Sequence, residues 1–240
     1  MMRMKAIKIN QIFILALMAV YITSMSACEE TITDFGFDGQ ISGMIVDQNG
    51  NPVSGDASNP AFTVFVLGEE DRVPLELRVN GDGTFANLHL YPQSYDVWIE
   101  GPVDGPGPGE LVVDLSGAPV EQDIVVTPFL VISQPTVSVS GNQLTVNYEI
   151  TPSQGHETAE RVVLVSTVAK VGVDTGNGPR WQTREVTLDS NSGTATVTLD
   201  TDLLNMSQER GGGNLHIRVA ARSEQTSDWN HSIPIVIEAP

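Results

Sequence analysis

One stretch constrains this chain more than any other. After the turn pair Gly141-Asn142, the apolar residues Leu144, Val146, Tyr148 and Ile150 occupy every second position, with Thr145, Asn147 and Glu149 between them. A period of two belongs to a β-strand with one face in a core, because successive side chains point to opposite sides of a sheet. The same alternation recurs at Tyr95, Val97 and Ile99 and at Leu215, Ile217, Val219 and Ala221. No segment of 39–128 has a helical period, and beyond it only Asp202-Leu203-Leu204-Asn205-Met206 reads as a helical turn. The expected fold is therefore all-β.

Turn chemistry divides the strands. Asn49-Gly50-Asn51-Pro52 and Asn80-Gly81-Asp82-Gly83 are hairpin-type turns, and the Gly-Pro run over 101–109 excludes helix and central strand. Strands are expected from Gly39 to Asp47, at Ala61–Leu67, Leu75–Val79, Thr84-Phe85, Ser94–Glu100, Leu111–Leu115 and Gln122–Thr127, and beyond Pro128 at Pro135–Ser140, Gln143–Thr151, Arg161–Lys170, Trp181–Leu188, Thr194–Leu199, Asn214–Arg222 and Ser232–Glu238. Two groups of about seven strands predict two tandem β-sandwich domains, 39–128 and 129–240, the second immunoglobulin or fibronectin type III-like.

The N-terminus has a different character. Arg3, Lys5 and Lys8 precede an apolar run from Ile12 to Ile22, and small residues then lead to Cys28. That is a secretory signal over 1–27; a membrane-spanning helix needs about 20 apolar residues, and this run is roughly half that. Met25-Ser26-Ala27-Cys28 resembles the lipobox of bacterial lipoproteins, which implies lipidation of Cys28 and anchoring to a membrane through the acyl chains. An ordinary cleavage site with a bystander cysteine is the alternative. Cys28 is the only cysteine in the chain, so it has no disulfide partner within it, and a free thiol would be a liability outside the cytoplasm. The acidic stretch 28–38 reads as a tether, and its acids directly after the cysteine resemble the surface-export signal of Bacteroidetes lipoproteins. The expected location is the outer membrane, with the folded part at the cell surface; a periplasm-facing position is the alternative.

After residue 27 the chain keeps 9 cations against 30 acids, a net charge of −21. Nucleic acid and anionic lipid surfaces are poor partners for it. Residues 28–128 carry −16 of that charge and 129–240 carry −5.

A family resemblance rests on Gly39, Ile41, Gly43, Ile45 and Asp47, on Gly50-Asn51-Pro52-Val53, on Asp82-Gly83 with Phe85, and on Tyr95 with Val97. These residues resemble the carboxypeptidase-regulatory-like, transthyretin-like β-sandwich. That domain followed by Gly101-Pro102 and a second β domain resembles a family of Bacteroidetes lipoproteins encoded beside SusC/SusD-type glycan-uptake systems. The resemblance implies an accessory role in such a system, either binding polysaccharide or docking on the transporter. A structural or adhesin surface protein is the alternative, and a secreted hydrolase a third reading.

Catalytic chemistry has few visible players. His89, His156, His216 and His231 lack metal-ligand spacing and read as surface or loop residues, and no Gly-x-Ser-x-Gly elbow is present. Two small sandwiches also leave limited room for a deep cleft. The acidic loop Leu67-Gly68-Glu69-Glu70-Asp71 is read as solvated rather than as a Ca²⁺ site. No enzyme activity, metal or cofactor is expected. For glycan binding the stacking candidates are Trp181 and Trp229, each with the alternative of covering a sandwich edge; Trp98 has outward parity on its strand. Alternation also places His216, Arg218 and Arg222 on a solvent face. Together with Arg184 these arginines form either a cationic strip or cross-strand pairs with nearby acids.

Overall fold

The computed structural model describes residues 36–55, 62–169, 172–173 and 182–240. The signal sequence, Cys28 and Trp181 lie outside the described residues. From Phe37 to Pro240 the chain forms one compact unit with two hydrophobic cores, one built from residues between Ile41 and Val126 and the other from residues between Leu130 and Ala239. The architecture is an all-β sandwich fold.

The first half runs through β1 (Gly39–Val46), β2 (Thr63–Gly68), β3 (Leu75–Arg78), β4 (Thr84–Leu90), β5 (Ser94–Glu100), β6 (Val103–Asp104), β7 (Val112–Asp114), β8 (Val120–Glu121), β9 (Ile124–Val125) and β10 (Thr127–Pro128). One sheet has β1 at its centre, antiparallel to β4 and parallel to β8 and then β9. The facing sheet is antiparallel throughout, in the order β3-β2-β5-β7. Gly43 permits the parallel crossing. The Gln122 carbonyl oxygen passes where a Cβ at this position would sit, 1.9 Å from it, and the Gln122 amide donates to the Ser42 carbonyl at 2.8 Å. Ile41, Ile45, Phe85, Tyr95 and Val97 fill the space between the sheets.

The second half runs through β11 (Leu130–Ile132), β12 (Thr136–Ser140), β13 (Gln143–Pro152), β14 (Thr158–Ser166), β15 (Thr183–Thr187), β16 (Ser192–Thr198), α1 (Thr201–Arg210), β17 (Asn214–Ser223), β18 (Trp229–His231) and β19 (Ile235–Glu238). β13 has β16 along one edge, with β12 and then β11 along the other. The opposing sheet is ordered β15-β14-β17, with β18 and β19 following one another along the far edge of β17.

The expected helical turn is a full ten-residue helix. Asp200 caps it, its carboxylate accepting from the Leu203 amide at 3.0 Å. Leu203 enters the core, and Gly211 closes the C-terminal end by donating to the Ser207 carbonyl at 2.9 Å. A capped helix satisfies its own terminal backbone groups, and it buries only Leu203 and Ser207, too few apolar positions to print a helical period.

Candidate functional site

The two cores meet at a polar seam. Asn230 of β18 is buried there and bridges both halves, accepting from the Leu130 amide at 3.1 Å and donating to the Pro102 carbonyl at 3.1 Å. The Phe129 amide donates to the same Pro102 carbonyl at 2.9 Å. Arg218 of β17 is only 1% exposed. Its Nε donates to the Ser232 carbonyl at 2.9 Å, and one terminal nitrogen reaches into the first half, donating to Ser54 Oγ at 2.8 Å and the Gly55 carbonyl at 2.7 Å.

Arg218 corrects the solvent-face expectation. Its strand is buried on both faces from Arg218 to Ala221, because the 52–55 segment and β18 cover what alternation alone marks as outward. The cationic strip dissolves accordingly. Arg184 makes a two-pronged pair with Asp200, at 2.6 and 2.9 Å, and this pair holds the Asp200 carboxyl below the usual carboxylate range. Arg222 pairs with Glu160 and lies 5.9 Å over the Trp229 ring.

His231 differs from the expected surface or loop position. His231 is buried beside Arg218, and burial first, then the neighbouring positive charge, pushes its pKa well below the ordinary value, so the ring is neutral. Burial likewise lowers His216. His156 stacks on Phe129 with ring centroids 3.9 Å apart, while His89 is exposed. His156 stands between Ser223 Oγ at 3.5 Å and Asp104 at 4.0 Å. These are the residue types of a nucleophilic triad, yet Ser223 is fully buried and no substrate could reach it.

Beside the seam lies a cleft of about 470 Å³, more room than two separate sandwiches were expected to leave. Pro52, Pro128, Leu130 and Ile132 give it an apolar part of its lining. Polar groups stand around it at Asp47, Asn51, Gln134 and Asn230. Burial raises the Asp47 carboxyl, but hydrogen bonds from Asn51 and Asn49 outweigh it and hold the group ionised to lower pH. Aliphatic and hydrogen-bonding side chains side by side suit a polar molecule with apolar faces. Among the described residues no cluster of three or more His, Cys, Asp or Glu could hold a metal.

Trp229 is not part of this cleft. It half-covers a small apolar cluster of Val162, Leu164 and Ala220 on the outer face of the second sandwich. Trp98 is outward-facing, as its parity required, but only 7% exposed; it stacks on its cross-strand neighbour Phe65 at 5.2 Å and donates to Glu100 at 3.0 Å. The seam itself was not visible in the sequence. Its one signal was Asn230-His231, two polar residues that open the chain's last strand region.

No protein-family model matches the chain, and no curated protein sequence is similar to it. Solved structures share its fold. A DUF3823 family protein from Bacteroides ovatus superposes with a TM-score of 0.67 at 18% identity, covering 85% of this chain and 100% of its own. Another DUF3823 family protein, from Parabacteroides merdae, gives 0.65 at 19% identity, covering 83% and 98%. A "putative carbohydrate binding protein" from Bacteroides uniformis gives 0.63 at 20% identity, covering 85% and 100%. None of the three is described as an enzyme.

Proposed function

We propose that this chain is a lipid-anchored surface protein that binds carbohydrate in the cleft between its two sandwiches, as an accessory to a SusC/SusD-like uptake system. The observation that carries the reading is the cleft itself, lined by both aliphatic and hydrogen-bonding side chains, beside a seam that Asn230 and Arg218 brace from the second half onto the first. A preorganised site loses little conformational entropy when a ligand enters it. A sugar offers what such a site takes, hydroxyls at its edge and C–H groups on its faces. The fold likeness, over 85% of this chain, to a protein named a "putative carbohydrate binding protein" supports the same class.

In this proposal Cys28 carries the lipid, 28–38 is the tether, and 39–128 and 129–240 are the two domains. The tether leads out of an outer membrane to a cell-surface body. Mass spectrometry of the mature protein is expected to show a diacylated N-terminal Cys28; an unmodified N-terminus elsewhere contradicts it. Co-purification of the neighbouring transporter on the tagged protein tests docking. Trp181 and Trp229 remain stacking candidates, Trp229 standing outside the cleft. Trp181→Ala or Trp229→Ala weakens retention on a glycan affinity matrix if either ring takes part.

The site is tested by titrating short neutral oligosaccharides into the chain from Glu29 onward. Val131 is a rim residue 39% exposed, so Val131→Trp is expected to fill the cleft and abolish binding with the fold intact, and Gln134→Ala to weaken it. Binding unchanged by Val131→Trp removes the cleft from the account.

A further inference from the structure

The outer face of the β12-β13-β16 sheet differs in kind from every other sheet face described above. Register places Thr136, Asn147 and Thr194 in one row across the three strands. Ser138, Thr145 and Thr196 form the next row, and Ser140, Gln143 and Thr198 the third. All nine are neutral hydroxyl or amide side chains. All are exposed except Thr145, which is partly so.

This composition is not the default for the molecule. The outer face of β3-β2-β5 carries Glu76, Arg78, Asp96 and Glu100, and that of β14-β17 carries Glu160 and Arg222. The neutral face is held in register by its own side chains. Asn147 donates to Thr136 at 3.2 Å and accepts from Thr194 at 2.7 Å, while Gln143 donates to Thr198 at 3.2 Å. Strand spacing makes it a platform on the order of 10 Å by 14 Å. Among the described residues β12 and β16 each pair only with β13, which leaves both sides of the platform without a further strand there.

We infer that this face is a second carbohydrate site, for an extended neutral polysaccharide. Hydroxyls and amides both donate and accept, as sugar hydroxyls do, so a regular array of them can meet a regular array on a polymer, directly or through water. Charge narrows the ligand. The rows contain no cation for a nucleic acid or acidic glycan, and the next row ends the lattice with the carboxylate of Glu149, opposite Ser192. A protein partner is the wrong chemistry for it: interface cores favour Tyr, Trp, Met and Arg and are depleted in Ser, and the nine positions include none of the favoured types. The inference takes its ligand class from the carbohydrate reading and adds a surface to it.

Native affinity electrophoresis through soluble starch, xyloglucan, galactomannan or hydroxyethylcellulose tests it, with polygalacturonate as the charged control. The Thr145→Val, Thr194→Val, Thr196→Val triple variant removes hydroxyls while keeping shape and β-propensity, and Thr196→Glu adds a charge to the central row; circular dichroism establishes that both remain folded. Retardation by at least one neutral polymer is expected for the parent protein, weakened at least about tenfold by the triple variant and also lost in Thr196→Glu. Retardation unchanged in both variants overturns the second site and leaves the carbohydrate reading standing. Absence of retardation of the parent by every neutral polymer overturns both.

Discussion

At the scale of single residues, the two most informative positions are His231 and Gly43. His231 is fully buried beside Arg218 and its folded pKa is depressed. The unfolded chain therefore binds a proton below about pH 6.5 that the folded chain refuses, so stability falls as pH drops through that value, by up to about 1.4 kcal/mol per pH unit. Thermal melts between pH 7.5 and 5 are expected to show this slope in the parent and a shallower one in His231→Phe; identical slopes would contradict it. At Gly43 an added Cβ meets the Gln122 carbonyl oxygen at 1.9 Å, so Gly43→Ala is expected to destabilise by about 1–3 kcal/mol in urea unfolding. Gly43 was legible in advance as a pattern residue but not its reason, because the crossing strand comes from a segment 79 residues away. Arg218 was misread for a related cause. Alternation states which side of a strand faces its own core, and cannot state that the other side faces a second body.

At the scale of elements, β13 was the most legible, since its alternation spans the whole strand and its outer positions are exposed. The helix was the least, because its cap and its pairing with Arg184 are contacts rather than periods. Asp200 does two jobs, accepting from the first turn of α1 and pairing with Arg184 of β15. Asp200→Ala is expected to lose about 1–2 kcal/mol, most of it from the cap, the partly exposed ion pair adding the smaller share. Equilibrium unfolding of Asp200→Ala and Arg184→Ala separates the two contributions. If Asp200→Ala costs no more than Arg184→Ala, the cap contributes nothing.

At the scale of the whole molecule, the seam makes two sandwiches into one body, and it does so through few contacts. Arg218 joins β17 to Ser54 and Gly55, while Asn230 joins β18 to Pro102 and Leu130. Calorimetry of the parent is expected to show one transition; Arg218→Ala is expected to lower it by several degrees or split it in two, since it removes a buried, hydrogen-bonded charge that reaches across to Ser54 and Gly55. A melt unchanged in Arg218→Ala would mean that the halves are joined by other means. The all-β sandwich plan was readable from strand and turn patterns, but the cleft was not, because its lining comes from segments far apart in sequence, around residues 47–54, 128–134 and 230–233. The cleft is also where the account stands or falls. The most direct measurement is calorimetric titration of neutral oligosaccharides into the parent protein and Val131→Trp side by side. Saturable heat in the parent and none in the variant is the predicted result, and equal heats in both, or none in either, would contradict it.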